Sequence, residues 1–158
     1  GLSVAVGTAQ TKKLNEDTSI VYTLHGDGEL QEGQIWEAAM YAAANKVDNL
    51  IATIDFNGRQ IDGDVEDVLS LGSLSEKWQA FGWEVLEMDG HNFENIHSTM
   101  TEAKNKVGHG KPVVIIMTTE MGMGVDFMMG THKWHGVAPN DEQLSSALSQ
   151  LKETLGDY

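Results

Sequence analysis

The sequence predicts an α/β protein in which a parallel sheet is sandwiched between helices. Two observations support this fold class. Apolar, β-branched runs alternate along the chain with segments that carry apolar residues at helical spacing. Glycines and polar residues stand at the turns between these segments. Because strands that alternate with helices are typical of a parallel sheet, we expect a sheet that is covered on both faces.

Each element is predicted from its local pattern. Strands are expected at 18–24, 49–55, 83–88 and 113–117. Helices are expected at 3–14, 34–45, 73–81, 93–107 and from 140 onward. The segment from Asn57 to Asp67 has few helix or strand signals and is predicted to be a loop.

Two of the helices have a clear apolar face. The helix at 34–45 is rich in alanine, which predicts close packing on the sheet. Its apolar face consists of Ile35, Ala38, Ala39, Ala42 and Ala43. The last helix has Asn140 as its expected N-cap, with Gln143 completing a capping box. Its stripe consists of Leu144, Ala147, Leu148, Leu151 and Leu155, so we expect an amphipathic helix that closes the fold.

Composition limits the classes of function. A length of 158 residues predicts a single domain that spans 1–158. The net charge of -14 opposes binding to nucleic acid or to an anionic membrane. The absence of cysteine excludes disulfides and thiolate metal sites, which leaves oxygen and imidazole ligands that suit a hard cation such as Mg²⁺.

Two polar turns follow the first two predicted strands. Gly26, Asp27 and Gly28 come after one strand, and Asn57 comes after the other. In open parallel sheets, ligands bind beyond the carboxyl ends of the strands, so we consider the two turns together. An Asp carboxylate, an Asn amide oxygen and a backbone oxygen two residues on can supply three ligands to Mg²⁺, and a diphosphate can supply two more.

The charges of this region favour a site in which a metal holds the anion. Lys46 is the only Lys or Arg between Gly26 and Gly58, so basic side chains cannot bind a diphosphate there. The glycines beside Asp27 let the main chain approach an anion, and the N–H of Gly28 can donate to it. We therefore predict that a cation joins the diphosphate to the protein.

The same turns carry a family resemblance. Gly26-Asp27-Gly28, a spacer and Asn57 resemble the thiamine-diphosphate signature, and the string GDGELQEGQIWEAAMYAA is similar to transketolases. The resemblance extends over essentially the whole chain, through GLSVAVG, DNLIATIDFNGRQIDG, KWQAFGW, DGH, His135-Gly136 and Pro139. It implies the thiamine-diphosphate-binding fold.

The resemblance also implies roles for residues of the two turns. Asp27, Asn57 and the main-chain oxygen of Arg59 would bind Mg²⁺. The cofactor, thiamine diphosphate, would lie against Gly26, Asp27, Gly28 and Asn57, with Gly28 and Asn57 contacting its diphosphate.

Three further residues receive roles from the resemblance alone. Ile61 would pack against the cofactor rings. His135 would reach both the diphosphate and the substrate side of the cofactor and would act in catalysis by handling protons. Glu32 resembles an acidic catalytic residue that faces the neighbouring subunit.

The activity that the resemblance implies is transfer of a two-carbon ketol unit from a ketose phosphate to an aldose phosphate, in the cytoplasmic pentose phosphate pathway. One alternative is another thiamine-diphosphate enzyme such as a deoxyxylulose-phosphate synthase, which the strings LQEGQ and WHGVAP disfavour. The other is a non-catalytic binding module that keeps only the fold.

The sequence also departs from the family. It lacks the glycine-rich segment that precedes GLS in transketolases, and it lacks the pyrimidine-binding domain with its activating glutamate. We therefore expect a domain that is incomplete at its N-terminus and resembles the N-terminal subunit of a split transketolase. By itself it should be inactive, and it should form a dimer or larger oligomer with a pyrimidine-binding domain or subunit as its partner.

Overall fold

The computed structural model describes residues 1–152 and contains a parallel sheet between two layers of helices. The strands are β1 (Val21–Gly26), β2 (Leu50–Phe56), β3 (Arg59–Gln60), β4 (Gly63–Asp64), β5 (Glu84–Asp89) and β6 (Val113–Thr118). The helices are α1 (Leu2–Leu14), α2 (Gly33–Ala44), α3 (Val65–Leu69), α4 (Leu74–Ala80), α5 (Phe93–Lys106) and α6 (Asp141–Gln150). A 3₁₀ turn covers Gly28–Gln31.

The central sheet has the order β1-β2-β6-β5, and every neighbouring pair in it is parallel. All four strands therefore end at the same edge of the sheet. Helices α1, α2 and α4 cover one face, and α5 covers the other. Because both faces are covered, β2 and β6 are almost continuously apolar rather than alternating. The predicted fold class is thus confirmed.

An aromatic cluster of Trp36, Trp78 and Trp83 lies in the core on the α2 side. The ring centroid of Trp78 is 5.3 Å from that of Trp36 and 4.8 Å from that of Trp83. The indole N–H of Trp83 donates to the backbone oxygen of Ala39 at 2.9 Å, so α2 is joined to the start of β5. The small residues of α2 allow this close approach, as the sequence predicts.

The segment predicted as a loop contains short regular elements. Strands β3 and β4 form a small antiparallel hairpin, and α3 follows directly. The Arg59 guanidinium pairs with the Asp64 carboxylate across the hairpin. Two-residue strands are too short to produce an alternating apolar pattern, so sequence periodicity does not reveal them.

The last helix is shorter and less buried than predicted. The capping box of Asn140 and Gln143 is present, but the helix ends at Gln150. Of its apolar stripe, Ala147 is buried, whereas Leu144 and Leu148 are exposed. Leu151 follows the helix, and Leu155 lies outside the described residues. The helix begins as expected, but the described residues bury only one position of its stripe.

No helix within residues 1–152 is long and apolar enough to cross a membrane.

Replacement of Trp78 by alanine should destabilise the protein strongly, because Trp78 is fully buried between two other aromatic rings. Removal of a buried Trp side chain typically costs about 3–5 kcal/mol of unfolding free energy. Urea denaturation followed by circular dichroism measures this loss. Leu14→Ala is the control, since Leu14 is 75% exposed, and an equal loss from both substitutions would contradict the packing of the aromatic cluster.

Candidate functional site

A cleft of about 390 Å³ opens at the carboxyl ends of β1 and β2. Strands β1 and β2 pair in parallel with Gly26 opposite Asp55, so the turns after them lie side by side. The cleft is lined by all eight residues that the sequence singled out: Gly26, Asp27, Gly28, Glu32, Asn57, Arg59, Ile61 and His135. Residues that are distant in sequence therefore meet at one point.

Asp27 is a buried carboxylate that backbone groups hold in place. Its Oδ1 accepts the N–H of Gly28 at 2.8 Å, and its Oδ2 accepts the N–H of Gly58 at 2.6 Å. Gly58 has a φ of 73°, a conformation that glycine adopts at little cost. Burial raises the pKa of the Asp27 carboxyl, while the hydrogen bonds from Gly58 and Gly28 act in the opposite direction. The carboxylate is thus fixed in position but poorly solvated.

Gly28 leaves no room for a side chain. A Cβ added to Gly28 would lie 2.8 Å from Cβ of Gln60, so any larger residue would push the two turns apart. The N–H of Gly28 is used by Asp27 in this structure, and its predicted donation to a diphosphate stays a prediction.

Asn57 has its side-chain amide engaged at both ends. Its Nδ2 donates to Oδ2 of Asp55 at 3.3 Å, and its Oδ1 accepts the N–H of Arg59 at 2.9 Å. An amide oxygen has two lone pairs, so Oδ1 retains the capacity to accept a second partner. The guanidinium of Arg59 pairs with Asp64 and therefore does not neutralise the carboxylates of the cleft.

Two neighbouring carboxylates of the cleft, Asp27 and Asp55, have no basic partner among residues 1–152. Neither forms an ion pair with a described Lys or Arg, and the charge of Asp55 contributes to the raised pKa of Asp27. Within the same residues, no three Asp, Glu or His side chains are grouped so that they could hold a metal ion. A cation at this point would depend on amide and backbone oxygens and on its own ligand as well.

His135 reaches the cleft from the long segment between β6 and α6. It is exposed, and its N–H donates to the backbone oxygen of His132 at 2.9 Å. The segment is held locally, since the indole of Trp134 donates to the backbone oxygen of Phe127 at 2.9 Å and the two rings pack at 5.3 Å. The imidazole is therefore presented on an ordered segment.

Glu32 and Ile61 lie at the rim of the cleft. Glu32 is exposed at the N-cap of α2, where its carboxylate accepts the side chain of Gln34 at 3.3 Å. Ile61 is 68% exposed between β3 and β4, an unusual place for a large apolar side chain. Both residues are accessible to a ligand or to another protein.

Sequence reasoning missed three residues that also line the cleft: Glu29, Asp55 and Gln60. Asp55 had a signal in the sequence, because it is the acidic residue at the end of the second strand, two residues before Asn57. The carboxylate of Glu29 lies 3.0 Å from Nδ1 of the buried His25 ring. Glu29 and Gln60 had no comparable signal, since only the folded turns bring them to the cleft.

Comparison with known proteins agrees with this geometry. The family described as "Transketolase, thiamine diphosphate binding domain" matches residues 1–156. One of the two subunits of the apulose-4-phosphate transketolase of Phocaeicola vulgatus is 44% identical over 157 residues, which are 98% of this chain and 54% of that protein. The 6-deoxy-6-sulfo-D-fructose transketolase subunit of Clostridium sp. (strain MSTE9) is 40% identical over 97% of this chain and 55% of that protein.

Solved structures show the same similarity. The crystal structure of transketolase from Campylobacter jejuni superposes with a TM-score of 0.86 at 34% identity, over 95% of this chain and 24% of that one. The chain thus spans about half the length of the curated relatives above. Because the family match covers nearly every residue and the fold agrees with it, the chain belongs to the thiamine-diphosphate-binding domain family of transketolases.

Proposed function

We propose that this chain is the part of a cytoplasmic transketolase that binds Mg²⁺ and thiamine diphosphate. The complete enzyme would transfer a two-carbon ketol unit from a ketose phosphate to an aldose phosphate in the pentose phosphate pathway. The observation that carries this proposal is the convergence of Asp27, Asn57 and His135 on one cleft at the ends of β1 and β2. Family membership supports the cofactor.

The residues of the cleft fit a metal–diphosphate group. Asp27, the amide oxygen of Asn57 and the main-chain oxygen of Arg59 would hold Mg²⁺, which prefers oxygen ligands. The unpaired carboxylates of Asp27 and Asp55 favour a cation, and the cation would offset the repulsion between the acidic cleft and a diphosphate. Gly26 and Gly28 would let the diphosphate approach the main chain.

When bound, thiamine diphosphate supplies the carbon centre that accepts the two-carbon unit. The residues of this chain would orient the cofactor and move protons around it. Ile61 would contact the rings through its exposed side chain. His135 would exchange a proton with a substrate hydroxyl, which its position on the rim of the cleft allows.

A partner is part of the proposal. Two relatives are named as transketolase subunits, and this chain would likewise act with a pyrimidine-binding domain or subunit. Exposed apolar residues lie on α1 and on α2, the helix that Glu32 precedes, and they include Val4, Met40 (57% exposed) and Tyr41 (50% exposed). Exposed apolar surface of this kind favours association, so we propose that this face contacts the partner or a second copy.

Mg²⁺ and thiamine diphosphate should bind interdependently. Calorimetric titration of the cofactor should give heat only in the presence of Mg²⁺, because Arg59, the one Lys or Arg that lines the described cleft, is already paired with Asp64. Asp27→Ala should abolish this metal-dependent binding, since it removes the one charged ligand.

Two control variants accompany this titration. Lys46→Ala removes a cation and Asp62→Ala removes an exposed carboxylate that does not line the cleft, and both should bind as the unchanged chain does. Equal losses from Asp27→Ala and the controls would contradict the metal site.

His135→Ala should lower turnover more than cofactor affinity. In an enzyme completed with a pyrimidine-binding partner, we expect a loss of about 10²–10⁴-fold in kcat, as for other general acid–base groups. Cofactor affinity should change by less than the effect of Asp27→Ala. Steady-state assays with a ketose phosphate donor measure this, with His132→Ala as the matched control, and unchanged turnover would show that His135 has no such role.

The chain by itself should have no transketolase activity. The glutamate that activates the cofactor belongs to the family's other domain, and nothing in this sequence matches that domain. An assay with Mg²⁺, thiamine diphosphate, a ketose phosphate and an aldose phosphate should show turnover only after a pyrimidine-binding subunit is added. Turnover without it would refute this mechanism, whereas cofactor binding without turnover in any mixture would favour a binding module.

A further inference from the structure

Asp55 contacts the ends of three strands. Its backbone oxygen accepts the N–H of Asp27 at 3.2 Å, at the end of β1. Its Oδ2 accepts Nδ2 of Asn57 at 3.3 Å, just after its own strand β2. Its Oδ1 accepts the hydroxyl of Thr119, the first residue after β6. Asp55 thus joins the turns that follow β1, β2 and β6.

These contacts determine which way the amide of Asn57 faces. An amide has an oxygen that accepts and an NH₂ group that donates. Because Nδ2 faces the carboxylate of Asp55, Oδ1 faces the N–H of Arg59 and keeps a free lone pair. The reversed amide would place its oxygen against the carboxylate and its NH₂ against that N–H, and both contacts would be repulsive.

Thr119 in turn restrains Asp55. The hydroxyl of Thr119 donates to Asp55, and its backbone N–H donates to the oxygen of Phe56 at 3.3 Å. Thr119 begins the segment that carries His135. A continuous set of hydrogen bonds therefore runs from the start of this segment through Asp55 to the amide of Asn57.

We infer that Asp55 is a positioning residue that holds the Asn57 amide with its oxygen available to the metal, and that Thr119 holds Asp55 for this purpose. The inference rests on the proposed function, because it needs Asn57 to be a metal ligand. Groups that orient metal ligands in this way typically change metal affinity by about 10- to 100-fold when they are removed.

The test measures binding by the 158-residue chain rather than activity. Thiamine diphosphate is titrated calorimetrically at fixed Mg²⁺, and Mn²⁺ binding in the presence of the cofactor is followed by electron paramagnetic resonance. Asp55→Ala should weaken both by about 10-fold or more. Asp55→Asn should lose less, because its amide oxygen can still accept Nδ2 of Asn57. Thr119→Val should weaken binding in the same direction, and Thr119→Ser should restore it.

A double-mutant cycle distinguishes positioning from simple attraction of the cation by a nearby charge. If Asp55 acts through Asn57, adding Asp55→Ala to Asn57→Ala should cause no further loss. Additive losses, or an Asp55→Ala chain that binds as the unchanged one does, would overturn the inference. If Asp55→Ala fails to fold, unchanged binding by both Asp55→Asn and Thr119→Val would overturn it.

The two hypotheses fail in different ways. If the unchanged chain shows no metal-dependent cofactor binding, or if Asn57→Ala has no effect on it, the proposed metal site itself is wrong. If Asn57→Ala weakens binding while Asp55→Ala and Thr119→Val do not, only the role of Asp55 is wrong.

Discussion

The candidate site depends on the parallel pairing of β1 with β2. Parallel neighbours end at the same edge of the sheet, and their register places Gly26 beside Asp55. Asp27 and Asn57 therefore emerge next to each other although thirty positions of sequence separate them. A slip of the register by one residue would turn the side chains of β2 to the opposite face and remove Asp55 from the cleft. The apolar residues on both faces of β2 oppose such a slip only through their packing with α2 and α5.

The second constraint is electrostatic. A buried carboxylate is costly unless hydrogen bonds or a cation stabilise it. In this cleft the N–H groups of Gly28 and Gly58 bind Asp27, but no basic side chain of the described residues pairs with it. The neighbouring charge of Asp55 increases the cost. Such an arrangement reduces the stability of the isolated fold and favours a bound cation, which is the usual compromise at a functional site.

The long segment after β6 connects the site to the rest of the molecule. It begins at Thr119, whose hydroxyl binds Asp55, and it presents His135 at the rim of the same cleft. The contact between Trp134 and Phe127 keeps this segment ordered. Proton transfer and metal binding are thus proposed for residues that one connected segment brings to the same cleft, although they come from opposite ends of the chain.

The sequence by itself determined the α/β class, the places of the main helices and strands, and the polar turns around Asp27 and Asn57. These follow from local signals, because period, capping residues and glycine act within a few residues of one another. The roles of Ile61, His135 and Glu32 came instead from a family resemblance, and their contacts with a cofactor stay predictions. Sequence alone also missed the β3–β4 hairpin, whose strands are too short for any pattern.

Only the tertiary structure decided how the parts of the site meet. The strand order β1-β2-β6-β5 brings Thr119 to Asp55, and nothing in the spacing of these residues indicates that contact. The same holds for Glu29 and Gln60, which reach the cleft through the folding of two turns. The exposure of Leu144 and Leu148 likewise depends on which surfaces α6 packs against. Long-range pairing is set by the packing of whole faces, and local sequence does not encode the partner of each face.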